Sequence, residues 1–221
     1  MLHVICAVIL FALIGIDTAQ ATTLHRLPLA YVPYNISAWK DSSATAGVDI
    51  RYDNITISSG SSFYYDGHRG TDFAAPYGTT VYASAGGTVY STYNACPPNG
   101  GYLGNPCGYS FGNYVAIKHA DNMVSIYAHL SSTSVSSGSI TCISGPGGKA
   151  VGVSGNSGSS SGAHLHFELR INDLQAASMS YDPFGGTAST QTWDYWYDWA
   201  WVADPLRPGF NMHYPVTTCQ P

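Results

Sequence analysis

The sequence predicts an all-β domain, a sandwich or barrel, and three observations predict it. Runs of four to seven residues rich in Val, Ile, Thr and Tyr recur along the chain, separated by Gly, Ser, Asn and Pro. Gly (24) and Tyr (17) are abundant. Charged residues make up only 10% of the 221 positions and Glu168 is the single glutamate, so strong helix formers are scarce. The length suits one core of ordinary size.

Residues 1–21 read as a signal peptide. Positions 4–16 are apolar almost throughout, a run too short to span a bilayer comfortably. Ala19-Gln20-Ala21 is a small-x-small cleavage site, so the mature chain is expected to begin at Thr22. An uncleaved anchor is the competing reading, because only His3 and the amino terminus precede the apolar run. Cleavage implies an extracellular or periplasmic protein with no transmembrane segment in the mature chain, expected to be monomeric. The formal charge is −5, and loss of 1–21 removes Asp17 alone. The mature balance of 8 basic against 12 acidic residues invites no nucleic-acid partner.

Residues 22–60 lack clear periodicity and are expected to wrap the domain, with short strands at best. The main domain is expected over 61–185. Within it, 79–83 and 87–90 look like the arms of a hairpin about Ser84-Ala85-Gly86, since β-branched and aromatic residues flank a Gly turn. Residues 91–112 are rich in Gly, Asn, Pro and Tyr and read as a loop. The run 114–118 alternates, Ala120-Asp121-Asn122 turns and 124–129 returns, giving a second hairpin. A serine-rich turn over 131–139 precedes short strands at 140–143 and 151–153. The Gly/Ser loop 155–162 then delivers a further strand. The tail 186–221 holds Trp193, Trp196, Trp199 and Trp201. Packing of this tail on the domain is favoured over stacking on sugar rings.

Cys6 leaves with the signal peptide, and Cys96, Cys107, Cys142 and Cys219 remain. An even number in an exported protein fits two disulfides, and no C-x-x-C pair marks a zinc ribbon. Cys96 and Cys107 bound a Gly/Pro-rich loop and are expected to pair. Cys142 with Cys219 follows by elimination.

The chemistry concentrates in SGSSSGAHLHFELRIN, residues 157–172. In a strand His164, His166 and Glu168 share one face while Leu165, Phe167 and Leu169 share the other. Two surface histidines on an edge strand are the bland alternative, because a metal needs at least three protein ligands. His68 and Asp72 stand four apart beside glycines at 67 and 70 and can converge at a turn or strand end. With one member of the His-x-His pair they make a nitrogen and oxygen set suited to Zn²⁺ with a position left for water. The other member and His129 are then free for proton transfer near neutral pH. No H-E-x-x-H occurs. Glu168 can hold an imidazole from behind or lie solvated at an edge. His119, His25 and His213 are expected to be structural or on the surface.

These pieces resemble the lysostaphin-like, or LytM-type, zinc endopeptidases. The matching stretches are HRGTDFAAPYGTTVYASAGGTV (68–89), GNYVAIKH (112–119), YAHLS (127–131), GNSGSSSGAHLHFELRIN (155–172) and YDP (181–183). The resemblance implies an antiparallel sheet folded on itself, with long loops around a zinc groove. It implies His68, Asp72 and His166 as ligands of one Zn²⁺ per chain, and His129 and His164 as the catalytic pair. It implies hydrolysis of peptide bonds in bacterial peptidoglycan. A non-catalytic wall-binding or hydrolase-activating module of the same fold, and a structural zinc domain in a glycan-binding protein, are the alternatives. A tyrosine upstream of His68 is expected to assist, with Tyr64 and Tyr65 both available. The 91–112 loop is longer than the resemblance predicts, and 22–60 and 186–221 lie outside it.

Overall fold

A computed structural model describes residues 28–29, 36–51, 54–140, 149–171, 180–181, 202–203 and 211–212. Among them there is no helix, and every strand pairing is antiparallel. The strands are β1 (Ile36–Ala38), β2 (Asp49–Ile50), β3 (Thr56–Ile57), β4 (Thr71–Phe73), β5 (Thr80–Tyr82), β6 (Gly87–Tyr93) and β7 (Asn113–Lys118). There follow β8 (Met123–Thr133), β9 (Ser139–Ile140), β10 (Ala150–Ser154), β11 (Leu165–Ile171) and β12 (Ser180–Tyr181). The main sheet runs β1-β4-β11-β8-β7-β6-β9, with β12 beside β11 and with β10 joining β5 to β8. Two-stranded pairs form between β2 and β3, and between Val202–Ala203 and Asn211–Met212.

Alternation decides what each strand buries. Leu165, Phe167 and Leu169 of β11 join Val115, Ile117, Tyr127 and Phe73 in the main core. Each such side chain contributes about 1.5–3 kcal/mol by leaving water. On the opposite face Tyr114, Ala116, Val124, Ile126 and Ala128 form a smaller cluster. His166, Glu168 and Arg170 lie on that second face, in register with Ala128, Ile126 and Val124.

The hairpin expected over 114–129 is present as β7 and β8. The one expected about Ser84-Ala85-Gly86 is not: β5 pairs with β10, and β6 pairs with β7 and β9. Those turn residues serve the core instead. The Ser84 N–H donates to the Tyr127 hydroxyl at 2.7 Å, and the Gly86 carbonyl lies 2.6 Å from His119 Nδ1. Strand β8 also runs on to Thr133, through the first residues of the expected serine turn, because β10 pairs with its second half. His164 precedes β11 and makes only an isolated bridge with Gly155.

Candidate metal centre and active site

Strands β4 and β11 set Asp72 directly opposite His166. Gly70 permits this approach, since a Cβ there would stand 2.6 Å from His166 Cε1 and from the Phe167 carbonyl oxygen. His68 Nδ1 donates to the Trp39 carbonyl at 2.7 Å. That bond orients the ring and turns Nε2 inward. His68 Nε2 lies 3.1 Å from His166 Nδ1 and 3.2 Å from Asp72 Oδ1, and His166 Nδ1 lies 2.8 Å from the same oxygen. All three residues are buried. Among the described residues this is the one His/Cys/Asp/Glu group whose ligand atoms fall within 4.8 Å of one another. Tetrahedral ligands at about 2.0–2.1 Å from zinc stand roughly 3.3 Å apart, so two nitrogens and an oxygen at these separations fit that ion.

The surrounding charges also suit a cation. Burial alone would raise the Asp72 pKa, but the His68 and His164 charges, with hydrogen bonds from His166 and His68, hold it well below the usual range. Burial would likewise lower the pKa of His166. Hydrogen bonds to Asp72 and Glu168, and their charges, push it up to about 9 instead. Two carboxylates thus hold positive charge at one buried point, with or without a metal.

Glu168 is not a solvated edge group. It is buried, 3.5 Å from His166 Nε2, and receives Arg170 Nε at 2.7 Å and Nη2 at 3.0 Å. Burial would raise the pKa of its carboxyl, yet His166 and Arg170 lower it. Arg170 in turn lies over the Phe111 ring at 5.3 Å.

The other two imidazoles face the same groove. A bulge delivers His129: Val115 pairs with Tyr127 and Asn113 with Leu130, so Tyr114 stands opposite both Ala128 and His129. His129 adopts a φ of 58° there, in the left-handed region that non-glycine residues rarely enter. Its Nδ1 donates to the Ser157 carbonyl at 2.8 Å, leaving Nε2 free. Burial, with His164 and His166 nearby, lowers its pKa to about 3, so the ring is neutral around pH 7. His164 is half-buried; its Nδ1 lies 2.9 Å from the Gly162 carbonyl and its Nε2 3.6 Å from Asp72 Oδ2. The His129 and His164 ring centroids are 4.8 Å apart.

The groove has a volume of about 700 Å³. Tyr64, Tyr65 and Arg69 line it, as do Leu103, Tyr109 and Phe111. Tyr65 stacks on His68 with centroids 4.4 Å apart and planes within 6°; burial, then the Asp72 charge, raises its pKa. Sequence reasoning missed the Trp39, Ser157 and Gly162 carbonyls that orient the imidazoles. A backbone acceptor leaves no trace in residue type. His119 lies outside the site, buried between the Gly86 carbonyl and Ser125 Oγ. Cys96 and Cys107 form a disulfide. Cys142, Cys219, His25, His213 and residues 182–201 with their four tryptophans lie outside the described residues.

The pattern of Peptidase family M23 matches residues 66–178, just over half of the chain. The chain belongs to peptidase family M23. One relative, DD-carboxypeptidase/endopeptidase Mpg of Neisseria meningitidis, is 41% identical over 105 residues, 48% of this chain and 20% of that protein. Peptidoglycan DD-endopeptidase ShyA of Vibrio cholerae is 40% identical over 112 residues, 51% of this chain and 22% of that protein. The chain therefore spans about a fifth of the length of each. A solved mutant catalytic domain of the prophage-encoded M23 protein EnpA from Enterococcus faecalis is 25% identical, covering 71% of this chain and 94% of that one at a TM-score of 0.48. The catalytic domain of the antimicrobial peptidase lysostaphin from Staphylococcus simulans is 24% identical, covering 63% and 90% at a TM-score of 0.42. Among the described residues no helix is long and apolar enough to cross a membrane.

Proposed function

We propose that this M23 chain is an exported, monomeric zinc metalloendopeptidase that hydrolyses peptide bonds in bacterial peptidoglycan. One observation carries the reading: five side chains of suitable chemistry meet in one groove, with their inward-facing atoms already selected. His68 Nε2, Asp72 Oδ1 and His166 Nδ1 would hold one zinc ion. When bound, zinc supplies Lewis acidity toward water and toward a peptide carbonyl. His129 Nε2, kept unprotonated by the bond its Nδ1 makes, can accept a proton. His164, whose Nδ1 donates to the Gly162 carbonyl, can in its imidazolium form donate a proton from Nε2 or hydrogen-bond a developing oxyanion. Tyr65, stacked on His68, keeps that ring in its plane, and the groove walls position an extended peptide. The names of the relatives support a peptidoglycan substrate, and a D,D cross-link is the first bond to test. The apolar stretch over 4–16 and the site at Ala21 support export.

The test is mass spectrometry of fragments released from purified peptidoglycan and defined muropeptides, with and without chelator. Five single Ala variants accompany it. His68→Ala, Asp72→Ala and His166→Ala should lower zinc content and activity together. His129→Ala and His164→Ala should keep the metal and lose about 10²–10⁴ in rate. Zinc-loaded protein that releases no fragment from any wall type would overturn the catalytic reading and leave a binding or activating module.

A further inference from the structure

His129 sits in a conformation that its own strand does not enforce. Residues held in the left-handed region cost roughly 1–3 kcal/mol and persist only where their surroundings over-determine them. The surroundings here are the disulfide-closed loop and the Gly/Ser loop before β11. Asn113 joins them. It is nearly wholly buried and exchanges two bonds with Cys96. The Cys96 N–H donates to Asn113 Oδ1 at 2.8 Å, and Asn113 Nδ2 donates back to the Cys96 carbonyl at 3.0 Å. Nδ2 also donates to the Ser131 carbonyl at 3.3 Å. The Asn113 N–H donates to Ser157 Oγ at 2.9 Å, and that hydroxyl donates to the Leu130 carbonyl at 2.7 Å. Ser157 is thereby held on both sides, and it is the Ser157 carbonyl that accepts the His129 Nδ1–H. The His129 backbone N–H is held from the segment between the disulfide and β7, by the Phe111 carbonyl at 2.8 Å. Gly112 and Gly158 let the two loops touch, since a Cβ on either would overlap the other loop's backbone or the Ser157 side chain.

We infer that Asn113 is a positioning residue for His129, anchored by the Cys96–Cys107 loop and acting through Ser157. This rests on the reading of His129 as a proton-handling group. Asn113 touches neither the metal ligands nor the groove wall. Its side chain ties the start of β7 to the Cys96 backbone and the Ser131 carbonyl, and so places the Asn113 N–H that holds Ser157 Oγ. Without the side chain that N–H, which Ala keeps, shifts and Ser157 shifts with it, and the imidazole then loses the acceptor that sets its tautomer and aim. Substrate binding and the metal set stay in place, so the loss falls on kcat.

A double-mutant cycle on the zinc-loaded full chain tests this. Asn113→Ala should lower kcat about 10–100-fold, the range usual for groups that orient a functional imidazole, with zinc content unchanged. KM should stay within about twofold. In a His129→Ala background the same substitution should cost less than about twofold, because no imidazole remains to be aimed. Losses that multiply across the two backgrounds, full activity in Asn113→Ala, or a KM rise at constant kcat overturns the inference. If Asn113→Ala fails to fold, the paired variant Cys96→Ser with Cys107→Ser takes its place in the cycle, and the same outcomes decide. The single variant His129→Ala separates the two levels. Full activity there removes the catalytic role and the inference with it. Impaired His129→Ala with multiplying Asn113 losses removes the inference alone.

Discussion

At the scale of the residue, the proposed metal site would take up its ion under the control of His166. Its pKa stands at about 9 rather than 6.5 because Asp72 and Glu168 outweigh burial. A group with a raised pKa holds its proton below that value, so a metal arriving at Nδ1 near pH 7 must displace one. Zinc affinity is therefore expected to rise about tenfold per pH unit between roughly 6.5 and 9. Calorimetry in buffers of different ionisation enthalpy should show about one proton released per zinc. An affinity that stays flat from pH 6.5 to 8 would show that His166 holds no proton for the metal to displace there. The proton itself stabilises the metal-free fold below pH 6.5, and that contribution fades as pH rises through 9. The candidate ligands were legible in the sequence because few side chains bind zinc, and H-x-x-x-D with His-x-His is a restrictive pattern. The choice between His164 and His166 was not legible from spacing. It depends on Asp72 facing His166 across two strands, and on His164 lying before the strand begins.

At the scale of the element, the segment around β1 is part of the site as well as of the sheet. Beyond the Trp39 carbonyl, the Asp41 N–H donates to the His68 carbonyl at 2.7 Å, and Asp41 Oδ2 accepts from the Gly67 N–H at 2.9 Å. The Trp39 indole is buried beneath the Arg51 guanidinium, 4.9 Å from its centroid. Trp39→Ala should cost about 3–5 kcal/mol in urea unfolding and weaken zinc binding by the remaining folded protein. An unchanged urea midpoint would show that this segment does not brace His68. The hairpin of β7 and β8 was legible because alternation and an Asp-Asn turn agree over adjacent stretches. The supposed hairpin at Gly86 misled because a Gly turn shows where a strand ends without showing which strand it pairs with. The bulge at His129 has no residue-type signature, since the left-handed position there is filled by an imidazole where Asn or Gly would be usual.

For the whole molecule, strand order does the assembling. Placing β11 between β4 and β8 brings together positions 68–72, 129 and 164–166, which are far apart in the chain. The all-β class was readable from composition and turn spacing. That order was not, because it depends on long-range pairing that local patterns do not encode. A metal held as proposed, clasping β4, β11 and the segment before β4, would bind only the assembled form. At free zinc 1,000-fold above Kd, mass action gives about 4 kcal/mol. Chelation should accordingly lower Tm by about 10 °C, with restoration on adding zinc back. A Tm indifferent to chelator would mean that the three groups do not act as a metal clasp.

The Cys96–Cys107 bridge also bears on how the protein is made. Expressed in a reducing cytosol, the chain would carry two free thiols at these positions. The main core would still fold, since neither cysteine belongs to it, so purity, yield and far-ultraviolet spectra would all look right. Oxidation during purification would then proceed to a different extent in each batch, and the products would differ by two hydrogens in mass. Turnover numbers would scatter between preparations of one and the same gene. A thiol count belongs beside every specific activity measured on this protein.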